Sequence, residues 1–359
     1  MYPNPEKNTI NGLLRCYVAS KLHGIIAPSV MDIHPVSGKC NLDCKWCIGR
    51  LQRSEIESLP RYMNSENIVQ LLSKVLDPRW KPNWPNEFHF AGADSEPLIE
   101  EDIVYEGTKY LLQRDRVVQL ITNGLLLKSV KIRSIISRIE KLSISLDVSN
   151  DNDYDLYKMT NTGNKGYSTV LENLEAIIKQ REKNKSDLKI FVTFVATPKT
   201  FNETNWLSTF RRLENLGVNF IFVRQDLCKT YGVVDNLENW INSIKNEFKT
   251  SKLDFHAPPI AFEEIGFSLC WAPRLWPTIA TDGNLYPCAH TATTKYEPFA
   301  NLFSEKSLID IYNQVFNRPG PACMEIKDIK CLRQCPPMVG TFNDNVSIKK
   351  RFNMDDRFL

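Results

Sequence analysis

No stretch of this 359-residue chain approaches the ~18 consecutive apolar residues that a membrane-spanning helix needs. The opening residues, Met1 to Lys7, lack the basic segment and apolar run of a secretory signal, so the sequence reads as that of a cytoplasmic protein. An excess of charge of one sign is missing too. With 45 Lys+Arg against 42 Asp+Glu the formal net charge is +3, which leaves no electrostatic footprint for nucleic acid or for a membrane surface. Internal repeats and low-complexity tracts are absent from the sequence. The length points to one large α/β domain plus a smaller one. Cysteine, by contrast, is abundant, with ten residues. In a reducing compartment these read as metal or redox ligands before they read as disulfides.

From about residue 28 to 235, short apolar runs alternate with helix-period segments, the pattern of β/α units around a parallel sheet. The runs at 30–33, 87–90, 118–121, 142–146, 190–195 and 220–223 are predicted strands. Ile68, Leu71, Leu72, Val75 and Leu76 form one apolar helical stripe, stopped by Pro78. Val170, Leu171, Leu174, Ile177 and Ile178 form a second, preceded by Thr169 and Glu172 at capping-box spacing. Trp206, Phe210 and Leu213 form a third, with Gly217 at a C′-like position. All of these are expected core. Parallel β/α folds place their chemistry at the C-terminal ends of the strands. The expected organisation is a lead-in over 1–27, a core domain over 28–235, a linker helix over 236–254, a small Cys-rich domain over 255–340 and a tail over 341–359.

Directly after the first predicted strand, Cys40-Asn41-Leu42-Asp43-Cys44-Lys45-Trp46-Cys47 puts three thiols within eight residues. Zinc usually draws on four ligands, and no fourth stands at such spacing. Thiolates suit iron–sulfur clusters, which in electron-transfer proteins take four Cys. Three would leave one iron open, and an open position is what a catalytic metal site needs.

This C-x3-C-x2-C spacing, with Trp46 before the last cysteine, resembles the signature of the radical SAM superfamily. The resemblance implies a partial (β/α)6 TIM-like barrel in which Cys40, Cys44 and Cys47 ligate a [4Fe–4S] cluster. S-adenosylmethionine would chelate the open iron, with Trp46 near its adenine. Phe90-Ala91-Gly92-Ala93-Asp94-Ser95-Glu96-Pro97-Leu98 is similar to the family's Gly-Gly-Glu-Pro loop, in which backbone and Glu bind the methionyl ammonium. Asp94 and Ser95 stand where glycines are usual, so Glu96 and Pro97 carry over, and Asp94 or Ser95 is expected to add a side-chain contact. Thr122-Asn123-Gly124 resembles the family's strand-end turn, with Asn123 the candidate cofactor contact. Ser145, ending the fourth strand, is the candidate for the cofactor carboxylate.

In the tail, Cys270 and the later Gly283-x4-Cys288 resemble the SPASM or twitch domain appended to many radical SAM enzymes. Thr281 to Cys288 reads as a hairpin with Asp282-Gly283 at the turn and Cys288 on the second strand. Asn301-Leu302 and the helix after it fit the same pattern. A full SPASM domain has cysteines for two auxiliary clusters, whereas only Cys323, Cys331 and Cys335 follow here. The implied outcome is one auxiliary [4Fe–4S] cluster on Cys270, Cys288, Cys331 and Cys335, with Cys323 the alternative to Cys331. A zinc ribbon is the structural alternative.

Cys228 follows the sixth strand in Val223-Arg224-Gln225-Asp226-Leu227-Cys228. It is either a hydrogen donor to a substrate radical or a plain loop thiol. Arg224 and Asp226 are candidate substrate contacts, or a mutual surface pair. Cys16 reads as a buried thiol, and His89 and His290 as structural. The resemblance further implies a flavodoxin- or ferredoxin-type electron donor and cleavage of S-adenosylmethionine to a 5′-deoxyadenosyl radical. That radical would abstract hydrogen from a small polar, carbohydrate-like metabolite for oxidation or epimerisation. Peptide modification is the alternative, disfavoured because the 39 residues before Cys40 are too few for the recognition domain often fused to peptide maturases. A non-catalytic iron–sulfur or zinc protein is the reading from another class.

Overall fold

Every one of the six apolar runs folds as a strand: β1 (Val30–Ile33), β2 (Glu87–Phe90), β3 (Val117–Thr122), β4 (Lys141–Ser145), β5 (Lys189–Ala196) and β6 (Phe220–Gln225). They pair in chain order, all parallel. Their Val, Ile and Phe content suits strands covered on both faces. The computed structural model describes residues 27–47, 49, 58–81, 84–158, 165–226, 229–256, 269–270, 272–293, 296–304, 306–316 and 324–325.

The connecting helices are α1 (Ile68–Val75), α2 (Glu101–Leu112), α3 (Val130–Ile136), α4 (Gly166–Lys183), α5 (Glu203–Leu216) and α6 (Leu237–Glu247). Each buries the apolar stripe that its sequence spells out, as with Ile68, Leu71, Leu72 and Val75 on α1. Helix α5 ends at Gly217 in the left-handed region, as its composition predicts. The expected capping box on α4 is corrected. The helix begins at Gly166 with Lys165 at the N-cap and no side-chain cap. Thr169 is already helical, its N–H bonded to the Lys165 carbonyl at 2.9 Å, so Thr169 and Glu172 lie inside the helix.

The sheet continues past both ends of the expected core. At one edge β7 (Asp254–His256), following α6, pairs parallel to β6, so the predicted linker builds a seventh β/α unit. A separate ladder joins β8 (Leu269–Cys270) to β12 (Met324–Glu325). At the other edge β9 (Thr278–Ile279) pairs parallel to β1 and antiparallel to β10 (Asn284–Tyr286), and β10 pairs with β11 (Ala300–Asn301). The result is one ten-stranded sheet in the order β11-β10-β9-β1-β2-β3-β4-β5-β6-β7. The β9–β10 turn uses Gly283 at φ 76°, where a Cβ would run into the Phe303 ring. Cys288 lies beyond β10 at the start of a short helical turn, Ala289–Thr291, which corrects its expected place on the hairpin strand. Helix α7 (Leu308–Phe316) packs on α1, and Arg79 reaches both Asp77 and Asp310 at 2.6 and 2.8 Å.

Register decides what faces the interior. Thr278, Asp32, His89, Gln119 and Lys141 form one row across β9, β1, β2, β3 and β4. Partners in a row share a face, and residues two further along each strand share it too. That next row includes His34, Ala91 and Ile121, which open onto a cavity also lined from β6. β1 and β6 stand five places apart in the sheet yet wall one cavity, so the sheet curls into a partial barrel. Among the described residues no helix is long and apolar enough to cross a membrane.

Candidate functional site

The cavity has a volume of about 330 Å³ and sits over the C-terminal ends of the parallel strands. Cys40, Cys44, Trp46 and Cys47 form one side of it. Their loop is held by short backbone bonds: the Cys47 N–H donates to the Cys44 carbonyl at 3.1 Å, and the N–H groups of Asp43 and Lys45 donate to the Lys158 and Tyr157 carbonyls, both at 3.0 Å. Trp46 is buried, its ring 6.4 Å from that of Tyr157. Gly49 lets the loop lie against the next one, since a Cβ there would meet Asp94 and the Ala93 carbonyl.

Burial pushes the Cys44 thiol up to about 12, with the Lys158 ammonium pulling the other way. A thiolate at that position therefore needs a cation beside it. The Leu42 N–H points at Cys40 Sγ at 3.4 Å, and Asn123 Nδ2 stands 3.9 Å from the same sulfur and 2.7 Å from Asn41 Oδ1. Among the described residues no three Cys, His or carboxylate side chains converge as a single metal ion would require. A [4Fe–4S] cluster takes its thiolates on separate irons, and Cys40, Cys44 and Cys47 all line the same cavity.

The second loop supports the first. Glu96 is buried, and its Oε1 accepts from the Thr122 hydroxyl at 2.7 Å and the Leu98 N–H at 3.1 Å, while Oε2 accepts from the Asn123 N–H at 2.8 Å. Burial raises its pKa above the ordinary glutamate value, against those hydrogen bonds. Glu96 thus lines the cavity as a clasp between the ends of β2 and β3. Ser95 donates to the Val36 carbonyl at 2.6 Å. The Asp94 carboxylate accepts from the Gly38 N–H at 2.7 Å and the Ser37 hydroxyl at 3.3 Å, which engages it with the loop after β1.

Ser145 ends β4, and just beyond it, against the cysteine loop, lies a buried pair. Lys158 Nζ sits 2.8 Å from Asp147 Oδ2 and donates to the Ser145 carbonyl at 2.6 Å and the Leu146 carbonyl at 3.3 Å. Asp147 has φ 66°, and its Oδ1 accepts from the Val195 N–H at 3.1 Å. Lys158 stands on a single π-helical turn, Tyr154–Lys158, the kind of turn that recurs at functional sites.

A family model described as the radical SAM superfamily matches residues 35–221. The chain belongs to the radical SAM superfamily. Among solved structures, it is similar to Streptococcus suis SuiB bound to S-adenosylmethionine, with a TM-score of 0.61, 16% identity, and 83% of this chain and 69% of that chain covered. The same enzyme bound to its precursor peptide SuiA aligns with a TM-score of 0.60 at 15% identity, covering 83% and 67%. AnSMEcpe with bound S-adenosylmethionine aligns with a TM-score of 0.54 at 16% identity, covering 79% and 80%. At such identities these likenesses establish the fold. Among curated proteins none matches the chain. Membership in this superfamily implies a radical SAM enzyme with a [4Fe–4S] cluster and S-adenosylmethionine.

The radical SAM fold gathers Cys40, Cys44, Trp46, Cys47, Ser95, Glu96, Asn123, Ser145, Arg224 and Asp226 around the one cavity, and leaves Asp94 outside its lining. Arg224 and Asp226 are no surface pair: Asp226 is buried and accepts from the Thr230 N–H at 2.7 Å. Cys16, Cys228, Cys323, Cys331 and Cys335 lie outside the described residues, and Cys270 lies in β8. Sequence reasoning missed Asp32, His34, Asp147 and Lys158, and read His290 as merely structural although it lines the cavity. The alternation of Asp32 and His34 across the end of the first strand, and Lys158 eleven residues beyond Asp147, were the signals available.

Proposed function

We propose that this chain reductively cleaves S-adenosylmethionine and removes a hydrogen atom from a small polar metabolite. The observation that carries this reading is one cavity lined both by Cys40, Cys44 and Cys47 and by Arg224 and Asp226. In it Cys40, Cys44 and Cys47 hold the cluster, and a bound [4Fe–4S] cluster supplies the electron that splits the cofactor into methionine and the abstracting 5′-deoxyadenosyl radical. Asn123 fixes the cysteine loop through Asn41. Ser145 and the backbone around Ser95 receive the methionyl end, with Glu96 holding the two strand ends in place. Trp46, buried beside Tyr157, offers its face to the adenine. Arg224 and Asp226 meet the substrate, and the segment Ala289–His290 after β10 helps to exclude water.

The same proposal assigns the C-terminal segment a single auxiliary [4Fe–4S] cluster on Cys270, Cys288, Cys331 and Cys335, and keeps Cys228 as the candidate hydrogen donor to the substrate radical. A flavodoxin- or ferredoxin-type protein would deliver the electron. A second reading, a peptide substrate, is favoured by the likeness to SuiB, solved with its precursor peptide. Anaerobic incubation with S-adenosylmethionine and dithionite tests the reading. The wild type should release 5′-deoxyadenosine, and Cys40→Ala, Cys44→Ala and Cys47→Ala should each release none. Release from any of these variants refutes the assignment.

A further inference from the structure

Among the described residues, two side-chain groups that line the cavity have no hydrogen-bond or ion-pair partner, the His34 Nε2 and the Arg224 guanidinium. His34 follows β1, the residue is 3% exposed, and its Nε2 is buried without a hydrogen bond among the described residues. Its own backbone is tied down, the N–H donating to the Ile279 carbonyl at 2.8 Å, so the ring is held at the cavity wall. A buried ring nitrogen left unbonded carries a desolvation penalty that a ligand's donor would remove. Burial lowers the His34 pKa, against the pull of Asp32 and Asp94, and keeps the imidazole neutral at pH 7, so it bonds an O–H or N–H group and repels no cation.

Arg224 is the second group. It comes from the penultimate residue of β6, and among the described residues its guanidinium makes no ion pair. The other cation lining the cavity, Lys158, is spent on Asp147 and two carbonyls. Arg224 is therefore the cationic group available to an anion, and its planar fork suits a carboxylate. Asp32, next to His34 along the interior face, is already engaged: Oδ1 accepts from the Trp276 Nε1–H at 2.8 Å and lies 3.1 Å from His89 Nδ1.

We propose that the substrate is a small hydroxy acid, its carboxylate bound by Arg224 and a hydroxyl bonded to the His34 imidazole. The inference rests on the reading of the cavity as a radical SAM site. It narrows the polar metabolite to one that carries an anionic end and a hydroxyl, and it gives His34 a role in substrate recognition.

The test uses the full-length, cluster-reconstituted protein loaded with S-adenosylmethionine, titrated anaerobically by calorimetry with three probes. D-gluconate carries both groups, D-sorbitol has the hydroxyls without the carboxylate, and hexanoate has the carboxylate without hydroxyls. Gluconate should bind at least about tenfold more tightly than either of the others, the discrimination expected of a buried polar site that loses one bond. Arg224→Gln should reduce gluconate to the level of sorbitol, and His34→Leu should reduce it to the level of hexanoate. His34→Gln, which keeps a hydrogen-bonding end, should recover part of the loss and guards against a folding defect in the leucine variant. In all three variants the dissociation constant for S-adenosylmethionine should stay within threefold of wild type. Gluconate binding that is absent from the wild type, or unchanged in both Arg224→Gln and His34→Leu, overturns the proposal. So does a greater than tenfold loss of S-adenosylmethionine affinity in His34→Leu, which would make the imidazole a cofactor contact. A hexapeptide containing Ser and Glu is titrated in parallel as a fourth probe, and its binding, with none by gluconate, overturns the proposal in favour of a peptide. Failure of the radical SAM reading itself would appear separately, as a wild type that releases no 5′-deoxyadenosine.

Discussion

Replacing Lys158 by Met tests how the cavity wall beside the cysteine loop is built. The ammonium and the Asp147 carboxylate are both almost wholly buried and 2.8 Å apart. Burial alone would disfavour the charged lysine, but Asp147, helped by Tyr154 and Cys44, keeps the Lys158 pKa above its ordinary value. Met has nearly the volume of the lysine stem, so the loss is electrostatic rather than a cavity. It leaves the Asp147 carboxylate with the Val195 N–H and without its cation, and the Ser145 and Leu146 carbonyls without their donor. Breaking a buried pair by removing one partner costs about 3–5 kcal/mol. With an unfolding entropy near 2.1 cal/mol/K per residue over 359 residues, the midpoint should fall by roughly 4–7 °C. Asp147→Asn is the matching single variant, since Asn tolerates the positive φ of that position. The double variant should lose less than the two singles combined, by at least about 1 kcal/mol, because it leaves no unpaired charge. Scanning calorimetry of the four proteins measures this. A fall of under about 1 °C in Lys158→Met, or strictly additive losses, would refute the reasoning.

Three further outcomes follow from other parts of the structure. Burial opposes protonation of His89, yet Asp32 at 3.1 Å and Glu87 at 2.7 Å outweigh it and hold its pKa at about 9. Its pKa in the unfolded chain is near 6.5, so the stability it contributes is complete below that pH and is lost as pH rises through about 9. Unfolding free energies from urea titrations should decline across this window by an amount on the order of 3 kcal/mol, and His89→Gln should flatten the decline; equal slopes in both proteins would remove His89 as the cause. Gly49→Val should force the cysteine loop off Asp94, costing about 1–3 kcal/mol and lowering iron incorporation after reconstitution, whereas full iron content would mean the close approach is not needed. Iron analysis of the wild type should give about eight atoms per chain, and about four after replacing Cys40, Cys44 and Cys47 together. A wild-type count near twelve contradicts the single auxiliary cluster, and a count near four with zinc present means a ribbon.

Hydrophobic periodicity made the six parallel strands and their helices readable because each buries a continuous apolar face, and the thiol spacing at 40–47 marked the cavity before any coordinates. β7 escaped notice for a physical reason. Asp254-Phe255-His256 is three residues long, lies at the edge of the sheet and carries one apolar side chain. The Thr169–Glu172 spacing misled because Gly166 and Tyr167 already bury against neighbouring elements and start the helix a turn earlier, so packing overrode the local capping signal. Lys158 and His34 went unread because charged and titratable residues default to the surface in a linear reading. Only the approach of Asp147, and the placing of His34 two residues beyond Asp32 on the inner face, turn them into cavity residues.

The pairing of β1 with β9 has a consequence for how the chain is made. Strand β1 has β2 on one side and β9 on the other, so one of its edges is filled by residues nearly 250 positions downstream. At roughly 5–20 residues per second, a ribosome needs about 12–50 s to reach β9 after completing β1. Throughout that interval the nascent barrel presents an unpaired edge of β1 beside the cysteine loop, an open template for pairing with other chains. A radical SAM protein built this way should depend on chaperone cover during synthesis, and truncations that end before residue 278 should be recovered in aggregates rather than as soluble barrels.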